Sequence, residues 1–179
     1  LRKVGFAPLP QRPRPDRRPF PTPSGRFEFA SDAAEAGGHG LLPNYRAGSE
    51  ASDLASGHLA LIAGAGDFHI NSTFAGTEKT AGRTGTPELI LHPRDAEARR
   101  LDTGDRVTVA NDRGCFDATV TVSDRTRPGV AAITKGWWDL PINNTVAERD
   151  ADMASGAIFH DNAVTVIAAA SKPKPGRVP

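Results

Sequence analysis

The residues best placed to do chemistry begin where an apolar run stops. Leu59-Ala60-Leu61-Ile62-Ala63 leads straight into Gly64-Ala65-Gly66-Asp67-Phe68-His69-Ile70-Asn71-Ser72-Thr73-Phe74. Glycines at 64 and 66 let backbone amides approach an anion such as phosphate with no Cβ in the way. The dinucleotide fingerprint of a Rossmann fold is absent, because its third glycine would fall at His69 and no periodic helix follows. The plain alternative is a tight glycine turn. Beyond the glycines, His69, Asn71, Ser72 and Thr73 gather hydrogen-bonding side chains at a strand end, the arrangement a polar ligand requires.

A second candidate is His92-Pro93-Arg94-Asp95. Asp95 falls in the first turn of an expected helix, where its charge suits the helix dipole. The same carboxylate could accept two hydrogen bonds from the N1–H and 2-amino donors of a guanine. Asn111-Asp112-Arg113-Gly114 has the composition of a hairpin turn, in which Arg113 is ordinarily solvated. Gly136-Trp137-Trp138 holds both tryptophans and lies near Asn143-Asn144-Thr145. Two adjacent indoles cannot face the same way, so one of them covers a cavity or an interface. The histidines 39, 58, 69, 92 and 160 show no i, i+4 pair, which argues against a protein-ligated metal. Cys115 falls within an expected strand without a neighbouring charge and reads as a small buried thiol rather than a nucleophile.

The elements that must position these groups are mostly short strands. Leu59–Ala63 reads as a strand buried on both faces. Glu88–Leu91 reads as a second, followed by a helix from Pro93 to Arg100 with proline at its first position. Val107–Val109, Cys115–Val122, Val130–Thr134 and Ala163–Ala169 complete six. Phe27 and Phe29 alternate with polar residues after the Pro23-Ser24-Gly25 turn and predict a further short strand. Residues 32–56 read as loop with one helical turn. Strands at a spacing of roughly ten residues with one helix between them argue for a small closed β-barrel rather than a parallel α/β sheet.

Composition sets the outer limits. The 179 residues are 38% hydrophobic and 24% charged, with 18 glycines and 15 prolines, so turns should be many and long helices few. No stretch approaches the ~18–20 consecutive apolar residues of a membrane-spanning helix. One cysteine excludes a disulfide framework and a cysteine-held zinc or iron–sulfur site within this segment. Net charge is +1, but residues 1–31 hold seven Lys/Arg against Asp16 and Glu28. Seven prolines between Pro8 and Pro23 should keep that stretch extended. It reads as a linker lying along another domain, with a basic nucleic-acid arm or a polyproline ligand for an SH3-like groove as alternatives. Leu1 is not a methionine and no leader follows it, which points to a segment of a longer chain of cytoplasmic location. The expected organisation is a Pro/Arg-rich lead-in over 1–50, a barrel over 51–170 and a tail over 171–179.

Taken in order, several segments resemble the C-terminal, molybdopterin-dinucleotide-binding domain of the molybdopterin oxidoreductases, the superfamily of dimethyl sulfoxide reductase, formate dehydrogenase and nitrate reductase. Pro21-Thr22-Pro23-Ser24-Gly25-Arg26-Phe27-Glu28-Phe29 resembles the segment leading into that domain. Leu61 to Phe74 resembles its first strand and glycine–histidine–serine loop. Pro87 to Ala96 and Thr103-Gly104-Asp105-Arg106-Val107-Thr108-Val109 resemble its next two motifs. Asn111 to Gly114, Arg127-Pro128-Gly129-Val130, Asn143-Asn144-Thr145 and Ser155-Gly156-Ala157-Ile158-Phe159 resemble the remaining ones.

The resemblance implies a mainly β protein, a six-stranded double-psi β-barrel. It implies a cap over a cofactor held by upstream domains of the same chain, usually two molybdopterin guanine dinucleotides around one molybdenum or tungsten. Carried over by position, Gly64, Gly66, His69, Asn71, Ser72 and Thr73 should meet phosphate or pterin. Asp95 should hold a guanine, with His92, which stands where the family often has Asn, beside it. Asn143 or Asn144 should bond pterin or phosphate, and Arg113 and Trp137 complete the cofactor set. No catalytic residue and no metal ligand is expected in this segment, because the family's metal ligand lies upstream, and neither a nucleic-acid partner nor a membrane span is expected. The alternative function is a free-standing double-psi barrel that binds proteins or peptides, like the N-terminal domains of some AAA ATPases.

Overall fold

The alternation along Cys115–Val122 is read by the fold as one wet face and one dry face. Phe116, Ala118 and Val120 are buried, while Cys115, Asp117 and Thr119 are exposed. A computed structural model of the chain describes residues 19–68, 70–151 and 156–169. Its strands are β1 (Leu59–Gly64), β2 (Glu88–Leu91), β3 (Arg106–Ala110), β4 (Cys115–Val122), β5 (Val130–Thr134) and β6 (Ala163–Ala168). Helices α1 (Asp32–Ala36), α2 (Ala51–Ala55), α3 (Glu78–Thr84) and α4 (Pro93–Arg99) are short, and a 3-10 turn spans Ile142–Thr145.

The six strands close into a barrel in the order β1-β5-β2-β4-β3-β6. β1 pairs with β5, and β2 with β4, in parallel; the other four pairings are antiparallel. This mixed closed barrel is the expected double-psi fold. Closure leaves no strand edge to template aggregation. Inward side chains fill the interior, among them Leu59, Leu61, Leu89, Leu91, Val107, Val109, Val120 and Val164, each at most 2% exposed.

The directions of the strands fix two distinct barrel ends. At one end lie the last residues of β1, β3 and β5 and the first residues of β2, β4 and β6. At the other lies α4, which follows β2, with Pro93 in its first turn and the His92 ring accepting the Arg94 N–H at 3.2 Å.

Several expectations are corrected. β1 is buried on one face only, because a barrel strand has one inner side, and Ile62 on the outer side is 44% exposed. Cys115 is exposed rather than buried, because it is the first residue of β4 and falls on the outer face. No strand forms at Phe27–Phe29. There the backbone turns instead: Gly25 at φ +69° donates its N–H to Thr22, the Thr22 hydroxyl donates to the Arg26 carbonyl, and the rings of Phe20, Phe27 and Phe29 pack edge to face. Residues 32–56 contain two helical turns, α1 and α2, of which α1 is capped by the Ser31 hydroxyl. Helix α3 was not signalled by any hydrophobic period.

The chain divides into two units between Arg46 and Ala47, so Ala47–Glu50 belongs with the barrel. Most of the proline-rich stretch and the segment 171–179 lie outside the described residues, as do His69 and Ser155.

Candidate functional site

Four polar or glycine positions sit immediately outside strand ends at one end of the barrel: Asn111 after β3, Gly114 before β4, Lys135 after β5 and Asn162 before β6. A strand's terminal amides and carbonyls lack ladder partners, so polar side chains collect there. The 3-10 turn Ile142–Thr145 crosses the same end. Its three-residue period sends Ile142 and Thr145 inward, at 4% and 0% exposure, and turns Asn143 and Asn144 outward. Gly114 permits this crossing. A Cβ there would stand 2.8 Å from the Asn144 carbonyl oxygen and 3.0 Å from its Cβ.

Between the 3-10 turn and the loop after β1 lies a cleft of about 860 Å³, within the usual size of a small-molecule site. Leu61, Ala63 and Ile142 form apolar wall, and the amides of Asn71, Asn143, Asn144 and Asn162, the Ser72 hydroxyl and the Lys135 side chain supply polar groups. Trp137, Trp138 and Phe159 supply flat faces. The Trp137 indole N–H donates to the Thr134 hydroxyl at 3.1 Å, whereas Trp138 is 79% exposed. The Lys135 ammonium lies 5.2 Å from the centre of the Phe159 ring, a cation–π distance.

The loop after β1 is shaped by a tight reversal. Ile70 and Thr73 exchange N–H to carbonyl bonds of 3.1 and 2.9 Å, and Asn71 takes φ +50°, which asparagine tolerates better than most residues. Phe74 at φ +72° has no such excuse and stores strain. This reversal carries Asn71 and Ser72 into the cleft wall and leaves Thr73, held in the bridge, out of it. Gly64 binds the Lys135 N–H through its carbonyl at 2.8 Å, and a Cβ on it would meet nothing within 4 Å. Neither Gly64 nor Gly66 lines the cleft.

Arg113 is not a solvated turn residue. Its guanidinium is 2.7 Å from the Glu50 carboxylate, donates to the Thr145 carbonyl at 2.9 Å and reaches Asn162 Oδ1 at 3.3 Å. Glu50, 3% exposed, also accepts the Ala163 N–H. Next to it, Asp161 accepts the Ser49 N–H and hydroxyl, and the hydroxyl bond above all holds its carboxyl below the ordinary value.

His92 and Asp95 are not brought to this cleft. Asp95, whose side chain is 14% exposed, accepts the Gly129 N–H at 2.8 Å and lies 4.0 Å from the Arg99 guanidinium. Gly129 precedes β5 and Lys135 follows it, so the two places are separated by the length of that strand, about 20 Å at ~3.3 Å per residue. Among the sequence candidates, Asn71, Ser72, Trp137, Asn143 and Asn144 therefore converge. Sequence reasoning missed Lys135, Asn162, Glu148 and Phe159 in the cleft wall and Glu50 behind it. The available signal was a polar residue directly flanking a strand end.

Comparison with known proteins supplies the context. The family model of the molydopterin dinucleotide binding domain matches residues 59–163. The chain is 30% identical over 183 residues to the dimethyl sulfoxide reductase DmsA of Escherichia coli (strain K12), covering 87% of this chain and 22% of that protein. It is 29% identical over 155 residues to the probable oxidoreductase YoaE of Bacillus subtilis (strain 168), covering 82% and 22%. It is 34% identical over 142 residues to trimethylamine-N-oxide reductase 1 of Escherichia coli O157:H7, covering 73% and 16%. Thus the chain spans about a fifth of the length of the curated relatives it matches. Among solved structures, acetylene hydratase from Pelobacter acetylenicus matches at TM-score 0.66 and 22% identity, over 82% of this chain and 24% of that one, and shares the fold.

Proposed function

Because the chain belongs to the family of molybdopterin-dinucleotide-binding domains, we propose that the cleft beside the 3-10 turn is where it holds its part of that cofactor. Binding a molybdopterin dinucleotide is the role of the domain, and family membership disfavours the free-standing peptide-binding barrel. The observation that carries the placement is the convergence of Asn71, Asn143 and Asn144 with Lys135 at one barrel end.

The donor set fits such a group. A pterin edge alternates hydrogen-bond donors and acceptors, and a carboxamide offers both from one side chain. The Asn143 and Asn144 amides, turned outward by the buried Ile142 and Thr145, would pair with that edge. The Lys135 ammonium supplies the positive charge a diphosphate needs, and the Ser72 hydroxyl adds a donor. The half-buried Trp137, held by its bond to Thr134, would give a flat face for a ring. When bound, the metal carried by the cofactor supplies the redox chemistry. This chain's residues orient the organic part and limit its motion.

We place this domain within a larger polypeptide whose upstream domains hold the rest of a bis-dinucleotide cofactor and the metal ligand. The relatives are oxidoreductases about four times as long, which supports the parent being a molybdenum-dependent oxidoreductase. Asp95 is left out of the set at this cleft, because β5 separates it from Lys135 by its whole length and its carboxylate receives the Gly129 amide there. The test is the dinucleotide content of the parent chain carrying Asn143→Ala or Asn144→Ala. Content should fall in both, with the barrel still folded; wild-type content in both would overturn the placement.

A further inference from the structure

We infer that Glu50 is a positioning residue for the cleft, acting through Arg113 to fix the Asn143–Asn144 turn; this rests on the cofactor-holding reading of that turn. Glu50 directly precedes α2 near the start of the barrel unit, makes no side-chain bond to that helix, and lies outside the span matched by the family model. A carboxylate that is 3% exposed must be compensated, and it is compensated by Arg113 at 2.7 Å, by the Ala163 N–H and, more distantly, by Arg149 at 3.9 Å.

The guanidinium so anchored also donates to the end of the 3-10 turn and to the residue before β6. Nε donates to the carbonyl of Thr145, the residue after Asn144, and Nη2 reaches Oδ1 of Asn162, which lines the cleft. Asn111 braces the same two acceptors at 2.8 and 3.1 Å, and Asn162 in turn donates to the Thr145 hydroxyl at 3.0 Å. The position of one carboxylate thus sets one guanidinium, and that guanidinium ties the 3-10 turn to Asn162 at the head of β6.

Arg113 also has an alternative. The exposed Asp112 carboxylate lies 3.3 Å from Nη1. Without the Glu50 charge the guanidinium can swing toward Asp112 and solvent, which frees Thr145 and Asn162 without opening the barrel core. The expected consequence is a looser turn in a folded domain.

The experiment uses the cofactor-loaded parent chain and measures the rate at which guanine dinucleotide is released, together with amide hydrogen exchange at Asn144 and Val146 in the cofactor-free parent. Glu50→Gln should speed release roughly 10-fold or more, the size typical of losing an outer partner of a binding group. Arg113→Lys keeps the charge but not the fork, and should do the same even if Glu50→Gln fails to fold. The double variant should be no worse than the worse single one. Exchange at Asn144 and Val146 should quicken in each. Wild-type release and exchange in both single variants, or additive effects in the double, would overturn the inference. If Asn143→Ala and Asn144→Ala leave release unchanged, the cofactor reading of the turn fails, and the exchange rates still decide whether Glu50 positions it.

Discussion

Replacing Asp95 by Ala separates two roles that one carboxylate could play. In the structure Asp95 Oδ2 accepts the Gly129 N–H at 2.8 Å, tying α4 to the turn before β5. A hydrogen bond to a charged group is worth about 1.5–3 kcal/mol, and a carboxylate in the first turn of a helix adds about 0.3–1 kcal/mol. The Arg99 pair at 4.0 Å is too long to add much. Asp95→Ala should therefore destabilise the barrel by about 2–4 kcal/mol. Asp95→Asn, which keeps an acceptor for Gly129 but loses the charge, should cost about half as much. Urea unfolding of the chain followed by tryptophan fluorescence reads this directly, since Trp137 and Trp138 both lie in the barrel unit. In the parent, the guanine bound per folded chain should stay at the wild-type level. A stability loss below about 0.5 kcal/mol combined with a fall in bound guanine would refute the reasoning, because Asp95 would then face a nucleotide rather than a backbone amide.

Three further predictions follow from single contacts. Gly114→Ala should destabilise by about 1–3 kcal/mol and displace the Asn143–Asn144 turn, read as a lower urea midpoint and reduced dinucleotide content, because its Cβ would stand 2.8 Å from the Asn144 carbonyl. The Ser49 bond lowers the Asp161 pKa in the folded chain, so its stabilisation is fully present above the unfolded carboxylate value of about 3.9 and is lost as pH falls through the lower folded value. Unfolding measured from pH 7 to pH 3 should show the wild type and Ser49→Ala converging only at the acid end. The exposed Cys115 thiol should react with Ellman's reagent in the native chain without denaturant.

What the sequence made legible was mostly local. The limits of β2, β4 and β5 could be read from alternation and turn residues, because period 2 marks an inner and an outer face within one strand. The N-terminus of α4 was equally clear from Pro93 at its first position. Alternation misled at Phe27–Phe29, where a turn hydrogen-bonded at Gly25 takes the backbone elsewhere. A continuous apolar run misled at Ile62, since hydrophobicity alone does not say which side of a barrel strand is wet. At the site, Asn143, Asn144, Asn71 and Ser72 stood out as polar clusters. The Glu50–Ala163 bond, spanning 113 positions, and the Lys135–Phe159 contact are products of barrel closure, and no short-range pattern encodes them.

The central claim is that this barrel caps a molybdopterin dinucleotide. Its most direct test is the molybdenum, tungsten and acid-released GMP per mole of the purified parent chain. The account predicts about two GMP for each metal, as a bis-dinucleotide cofactor requires. Neither metal nor GMP, in protein from cells competent to make the cofactor, would contradict it.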